Sequence, residues 1–156
     1  IGQVQEYARH FSNWKQIEKN ILNFAKAHPT NLVIHYTLQT TTILGLQNLI
    51  DWLKKNNLSF SVGVCDRPKH LGFSSLPNVV RDAIKNKLNK TTGIKQHSFG
   101  DLDTISFDKV VKYIDDTPFE PGEYNKFIKY IEWYEKGKNT ITLKELFPDL
   151  YIDKNA

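Results

Sequence analysis

The chain reads as an α/β protein with parallel strands followed by a mainly helical tail, and three observations predict this. Residues 32–39 and 58–65 each alternate apolar and polar side chains with a period of two, the pattern of half-buried strands. Between them Ile43, Leu44, Leu46, Leu49, Ile50, Trp52 and Leu53 recur at spacings of three and four, the buried stripe of a helix, and a helical crossover makes the strands it joins parallel. Beyond residue 76 the apolar spacing is that of helices, interrupted by one polar interval.

The two strands divide their side chains in the same way. In the first, Leu32, Ile34, Tyr36 and Leu38 oppose Val33, His35, Thr37 and Gln39; in the second, Leu58, Phe60, Val62 and Val64 oppose Ser59, Ser61, Gly63 and Cys65. Parallel sheets normally have both faces covered by apolar elements, so a face of small and polar residues asks for an explanation. Two stand open at this point: the interior of a barrel that leaves room for a ligand, or a solvent-facing side near a sheet edge. Thr40, Thr41 and Thr42 precede the crossover helix and are expected to cap it.

Helices flank this unit. Residues 13–27 carry Trp14, Ile17, Ile21, Phe24 and Ala25 as a buried stripe with Ser12 or Asn13 as cap, and residues 1–11 read as the end of a loop or a short helix, with Arg9 and His10 in a polar setting. After the second strand, Pro68 and Gly72 punctuate a loop before a helix that opens near Leu76 and Pro77 with Ser75 as cap. That helix is expected to bury Val79, Val80, Ala83, Ile84 and Leu88 and to carry Arg81, Lys85, Lys87 and Lys90 outward. Residues 91–105 are polar and aperiodic, which predicts a loop. The tail, 106–156, starts with a helix capped by Ser106 and buried through Phe107, Val110, Val111 and Ile114. A longer one over about 122–136 buries Tyr124, Phe127, Ile128, Ile131 and Tyr134 before Gly137 stops it, and a capped turn follows at 142–146.

With 156 residues, 40% of them hydrophobic, the chain is long enough for one globular domain. No run approaches a transmembrane span and the first residues lack a secretory pattern, so the cytoplasm is the expected compartment and no membrane partner is expected. A single cysteine, Cys65, rules out a disulfide framework or a Cys-ligated metal cluster built by this chain itself. The absence of methionine and the start at Ile1 lead us to expect a fragment, as does the small number of confident strands. A formal charge of +4 is mild, and nucleic acid is not the expected partner.

No Gly-rich phosphate loop, GxSxG elbow or HExxH motif occurs, and His10, His28, His35, His70 and His97 lack ligand spacing, so no metal site is expected. The carboxylate pairs Asp101/Asp103 and Asp115/Asp116 read as caps or solvated loop ends. Position is the better guide, because ligands of parallel sheets sit at the carboxyl ends of the strands, here residues 37–41 and 65–67. Thr37 and Gln39 offer neutral hydrogen-bond partners there, Asp66 and Arg67 offer charge, and His35 lies one layer deeper as a hydrogen-bonded packing residue.

The order of these features resembles the C-terminal half of radical S-adenosylmethionine (radical SAM) proteins, in the group with an N-terminal twitch domain. EYARHFSNWKQIEKNI, with Glu6, Tyr7, Arg9, Trp14, Asn20 and Ile21, is similar to the stretch after that family's fourth barrel strand. The strand ending Tyr36-Thr37-Leu38 is similar to the fifth strand, RPKHLGFSSLPNVVRDAIKNKL to the region after the sixth, and Phe147-Pro148-Asp149-Leu150 to a terminal Phe-Pro-Glu-Leu signature. The family's three-cysteine cluster motif is absent, and Glu132 and Glu135 stand where an Asp and an Arg would be expected.

The resemblance implies that residues 1–90 contribute late strands and helices of a partial (β/α)6-type barrel, 91–105 a loop and 106–156 a helical tail. It implies cofactor contacts from Arg9, Thr37 and Gln39, substrate-facing positions for His35, Cys65 and Asp66, and 5′-deoxyadenosyl-radical chemistry on a peptide or small molecule. S-adenosylmethionine and a [4Fe-4S] cluster would be the cofactors, the cluster held by an N-terminal part of the same protein. A catalytic residue is not identified. The alternative from the residues alone is a self-contained basic α/β module that contacts nucleic acid or an acidic partner through Arg81, Lys85, Lys87 and Lys90.

Overall fold

A computed structural model describes residues 1–9, 11–28, 32–90, 104–105, 107–138 and 141–151. Helices α1 (Gln3–Ala8) and α2 (Trp14–Ala27) precede strand β1 (Val33–Leu38), which passes through a 3-10 turn (Ile43–Gly45) into α3 (Leu46–Lys55) and then strand β2 (Ser59–Val64). Helix α4 (Asn78–Leu88), the short strand β3 (Thr104–Ile105), and helices α5 (Phe107–Asp116), α6 (Pro121–Glu135) and α7 (Leu143–Leu146) follow. The protein is thus a mixed α/β fold. Strands β1 and β2 pair in parallel with Ile34 opposite Phe60 and Tyr36 opposite Val62, as the crossover requires. β3 adds antiparallel to β2, so the sheet order is β1-β2-β3 and β1 is an edge among the described residues. That strand falls at the end of the interval expected to be loop; the rest of that interval, like His10 and the Ser106 cap, lies outside the described residues.

The apolar face of the sheet is the core. Leu38, Phe60 and Val62 are fully buried beneath Leu46, Leu49, Ile50 and Leu53 of α3, with Ile84 of α4 and Val110 and Ile114 of α5 in the same cluster. Phe60 and Phe107 pack with ring centroids 5.0 Å apart, and Phe73 meets Tyr113 edge-on at 5.5 Å. Each large side chain buried in this way contributes about 1.5–3 kcal/mol. Val4 of α1 docks against Gly45, where a Cβ would come within 2.9 Å of the Val4 side chain, so only glycine permits this approach.

Several local expectations hold at the atomic level. Asn13 caps α2 by accepting from Gln16 N, and Thr142 and Glu145 form a reciprocal capping box on α7. Others are corrected. The three threonines before α3 do not cap it: Thr42 Oγ1 instead accepts from Gln39 N (3.0 Å) and donates to Thr37 O (2.8 Å). Ser75 does not cap α4, because its hydroxyl is taken by Gly72 O and Thr40 Oγ1. Helix α4 is also rotated from its expected orientation: Val79 and Ala83 face solvent, while Arg81 is buried and donates to Phe73 O and Ile114 O. The guanidinium satisfies a carbonyl of the last turn of α5, which an apolar side chain could not do. Lys85 is held by Asp82 and Asp115 at 3.1 and 2.9 Å. The expected outward basic edge of α4 therefore loses Arg81 to the core and Lys85 to neighbouring carboxylates.

Candidate functional site

The polar face of the sheet is a single surface. Register places Ser61 opposite His35 and Gly63 opposite Thr37, and the alternation of side chains puts all of these on the side away from α3. His35 Nδ1 and Ser61 Oγ are hydrogen-bonded at 2.9 Å across the strands. Ser61 and Gly63 are buried in the central strand, whereas His35 and Thr37 on the edge strand are exposed. This face meets solvent at β1.

Alongside β1 runs a cleft of about 410 Å³. Its floor includes four consecutive strand residues, Ile34, His35, Tyr36 and Thr37, so it follows the outer edge of β1 and gives access to side chains from both faces. The opposite wall comes from Gln5 of α1, Arg9 just after it, and Trp14 and Ile17 of α2, and Gln39 and Thr42 close the end beyond the strand. Trp14 packs edge-on against Trp52 of α3 with centroids 5.4 Å apart, and Trp52 Nε1 donates to Glu18 at 2.6 Å, which fixes α2 beside the strand. The Tyr36 hydroxyl donates to Thr42 O at 2.9 Å, and burial pushes this phenol up to about 12, so it stays a neutral donor at ordinary pH.

The carboxyl end of the sheet is clamped rather than loose. Thr40 Oγ1 lies 2.9 Å from both Leu71 O and Gly72 O and 2.7 Å from Ser75 Oγ, and Thr40 N donates to Leu71 O at 2.8 Å. The loop after β2 is thereby tied to the loop after β1. Gly72 sits so close to Cys65 O that a Cβ would approach within 3.0 Å. Gln39 Nε2 donates to Thr41 Oγ1 at 3.0 Å, which leaves its amide oxygen as an acceptor at the mouth of the cleft.

Of the residues singled out from sequence, Arg9, His35, Thr37 and Gln39 line this one cleft, although Arg9 is 26 residues from His35 in the chain. Cys65 and Asp66 do not line it. Cys65 continues the parallel ladder by donating from its N to Leu38 O at 2.8 Å, which sets it beyond Val64 on the polar side, with Sγ 3.3 Å from Arg67 O. Asp66 is exposed on the following loop. Sequence reasoning missed Gln5, Tyr36, Thr42 and Trp52 as cleft residues. The run of three threonines after a strand was a visible signal, but it was read as a helix cap.

Among the described residues, no group of three or more His, Cys, Asp and Glu side chains is placed to hold a metal ion. No helix of the described residues is long and apolar enough to cross a membrane. No family model, no curated protein and no solved structure matches this chain.

Proposed function

We propose that this chain is the C-terminal part of a radical SAM enzyme, and that it lends the sheet edge and cleft described above to the binding of S-adenosylmethionine and substrate. The observation that carries the reading is the convergence of Arg9, His35, Thr37 and Gln39 on one cleft, beside a polar sheet face that is exposed along β1. The donor set suits the cofactor. A guanidinium fork is shaped for its carboxylate, and the Thr37 hydroxyl and Gln39 amide oxygen are neutral partners for ribose hydroxyls or an ammonium group. The edge position of β1 also supports a partial barrel. Helix α2 leads into β1 and packs through Trp14 and Glu18 on Trp52 of α3, the helix that covers the apolar face, as a crossover helix from a further parallel strand would. Such a strand would pair along the edge of β1 and leave Thr37 and Gln39 at its carboxyl end.

The residues of this chain do not fit an iron–sulfur cluster, since the sequence has one cysteine and no metal-binding group is gathered among the described residues. The proposal assigns the cluster to an N-terminal part of the same protein. When bound to such a cluster, S-adenosylmethionine supplies radical chemistry; the residues here would bind and orient it. His35, fixed through Nδ1 by Ser61, and Cys65 at the end of β2 stand on the substrate side of the sheet. The substrate under this reading is a peptide or small molecule.

Two measurements test this. Coding sequence upstream of Ile1 should contain a Cys-x3-Cys-x2-Cys segment in frame; a stop codon followed by a start immediately before Ile1 overturns the reading. In the protein containing that segment, Arg9→Ala should weaken S-adenosylmethionine binding by about tenfold or more in equilibrium dialysis, the loss of a charge-assisted hydrogen bond. Unchanged affinity would remove Arg9 from the cofactor site.

A further inference from the structure

Helix α6 buries Tyr124, Phe127 and Ile131, and its C-terminal turns carry three further rings: Tyr130 and Tyr134, half-buried against the core, and Trp133, which the core does not use. Trp133 is 70% exposed, and it is the only large apolar side chain of α6 left in that state. Tyr130 lies behind it with centroids 6.0 Å apart, and Tyr134 stacks on Tyr130 at 5.9 Å with planes 23° from parallel. The array is anchored. The Tyr134 hydroxyl donates to Tyr7 O at 2.7 Å, Tyr7 meets the Tyr134 ring edge-on, and His70 packs on Tyr130 at 5.7 Å.

Positive charge surrounds these rings. Lys129 and Lys136 lie one helical turn before and after Trp133, and Lys138 follows the left-handed Gly137 (φ 76°) to set its Nζ 3.0 Å from the Tyr134 ring centroid. Trp133, Tyr134, Lys136 and Lys138 together form an open hollow of about 390 Å³. Of the nearby carboxylates, Glu135 is turned inward to accept from the Tyr7 hydroxyl (2.8 Å) and Leu143 N (2.6 Å). Glu132 is the acidic group left exposed on this part of the helix.

We infer that this face binds single-stranded nucleic acid, with a base stacked on Trp133 and flanking phosphates against Lys136 and Lys138. Unpaired bases stack on any exposed aromatic ring and tolerate changes of sequence, and lysines one turn away neutralise the backbone that carries them. A shallow, open hollow suits a strand that passes over it better than an enclosed small ligand. A lipid surface is a poorer match, because an interfacial helix needs an apolar stripe and α6 offers one exposed ring. Net charge and the basic edge of α4, the features visible in the sequence, do not single out this face, because the spacing of α6 reports only its buried stripe. This inference is independent of the proposed radical SAM role.

The test is fluorescence anisotropy of a labelled 12-nucleotide pyrimidine strand with the whole chain at low salt. Binding should be tighter than about 100 µM, the weak end of non-specific association, and should fall as salt is raised. Trp133→Ala should weaken it by about tenfold, Trp133→Phe by less, and Lys136→Gln with Lys138→Gln should flatten the salt dependence. Because Trp133 is exposed, urea unfolding of the Trp133→Ala protein should match that of the parent, which separates lost binding from lost fold. Absence of binding, equal binding by Trp133→Ala, equal affinity for duplex of the same length, or preference for anionic vesicles over the oligonucleotide would each overturn the inference.

Discussion

The two faces of the β1–β2 sheet are built from the same twelve paired positions, yet they have opposite fates. On one side Leu38, Phe60 and Val62 are sealed under three helices; on the other Ser61 and Gly63 of the central strand are buried, but His35 and Thr37 of the edge strand stand in solvent beside a cleft. The alternation that assigns side chains to faces is local, but its consequence is a division of labour. Apolar burial on one face supplies the stability that lets the other keep polar groups exposed, where they can meet a ligand.

The largest way to break this comparison is to cut the sealed face. Phe60→Ala should destabilise the fold by about 3–5 kcal/mol, seen as a large drop in the urea midpoint, because it removes a fully buried ring and leaves a cavity against Phe107. The matching change on the open face, Thr37→Val, should shift stability by less than about 0.5 kcal/mol. Equal effects would mean that the polar face is packed as tightly as the apolar one.

Arg81 tests the far edge of the sealed side. Arg81→Leu should cost about 2–4 kcal/mol in chemical denaturation, since the carbonyls of Phe73 and Ile114 lose their shared donor within the core. The exposed lysine in the turn just beyond that helix, Lys90→Gln, should change little. Gly45→Ala sharpens the comparison at the boundary where α1 meets the 3-10 turn before α3. The added methyl would press on Val4, destabilising the protein by about 1–3 kcal/mol, and Val4→Ala in the same chain should recover part of the loss.

The smallest expected effect is in the tail and concerns pH. Hydrogen bonds from the Thr142 backbone N–H and hydroxyl hold the Glu145 carboxyl below its ordinary value. A carboxylate whose folded pKa is depressed stabilises the protein above its unfolded pKa of about 4.3 and loses that contribution as pH falls through the folded value. Glu145→Gln can keep the cap geometry without this titration. Its urea midpoint should therefore decline less than the parent's between about pH 5 and pH 3. The sheet faces should be indifferent to that change.

Much of the fold was legible because local periodicity states which residues share a face. The strands, the crossover and the stripes of α5 and α6 followed from spacing, and Asn13 and the Thr142/Glu145 box followed from short-range capping chemistry. The stripe expected to be buried on α2 is instead only half-covered at Trp14, Ile17, Ile21 and Ala25, and Phe24 is exposed, because α2 lies at the outside of the sheet's free edge. Of the candidate site, Thr37 and Gln39 were legible from their place at a strand end, and Arg9 only through the family resemblance. Where local chemistry had a distant competitor, the reading failed. Thr40 and Ser75 looked like caps but bind each other across 35 residues, and Arg81 looked like a surface charge but finds a carbonyl 33 residues away.

The sequence by itself thus determined the α/β class, the parallel sense of the paired strands and the polar character of one sheet face, because each depends on side-chain alternation or on the length of one connection. Only the tertiary structure decided that α4 turns Arg81 inward and Val79 outward, that Glu135 joins α1 to α7, and that Arg9 reaches the cleft beside His35, Thr37 and Gln39. Those outcomes depend on which buried carbonyl or carboxylate lacks a partner once helices have packed. Buried polar groups must be satisfied, and the partner that satisfies them is chosen by space rather than by neighbours in the chain.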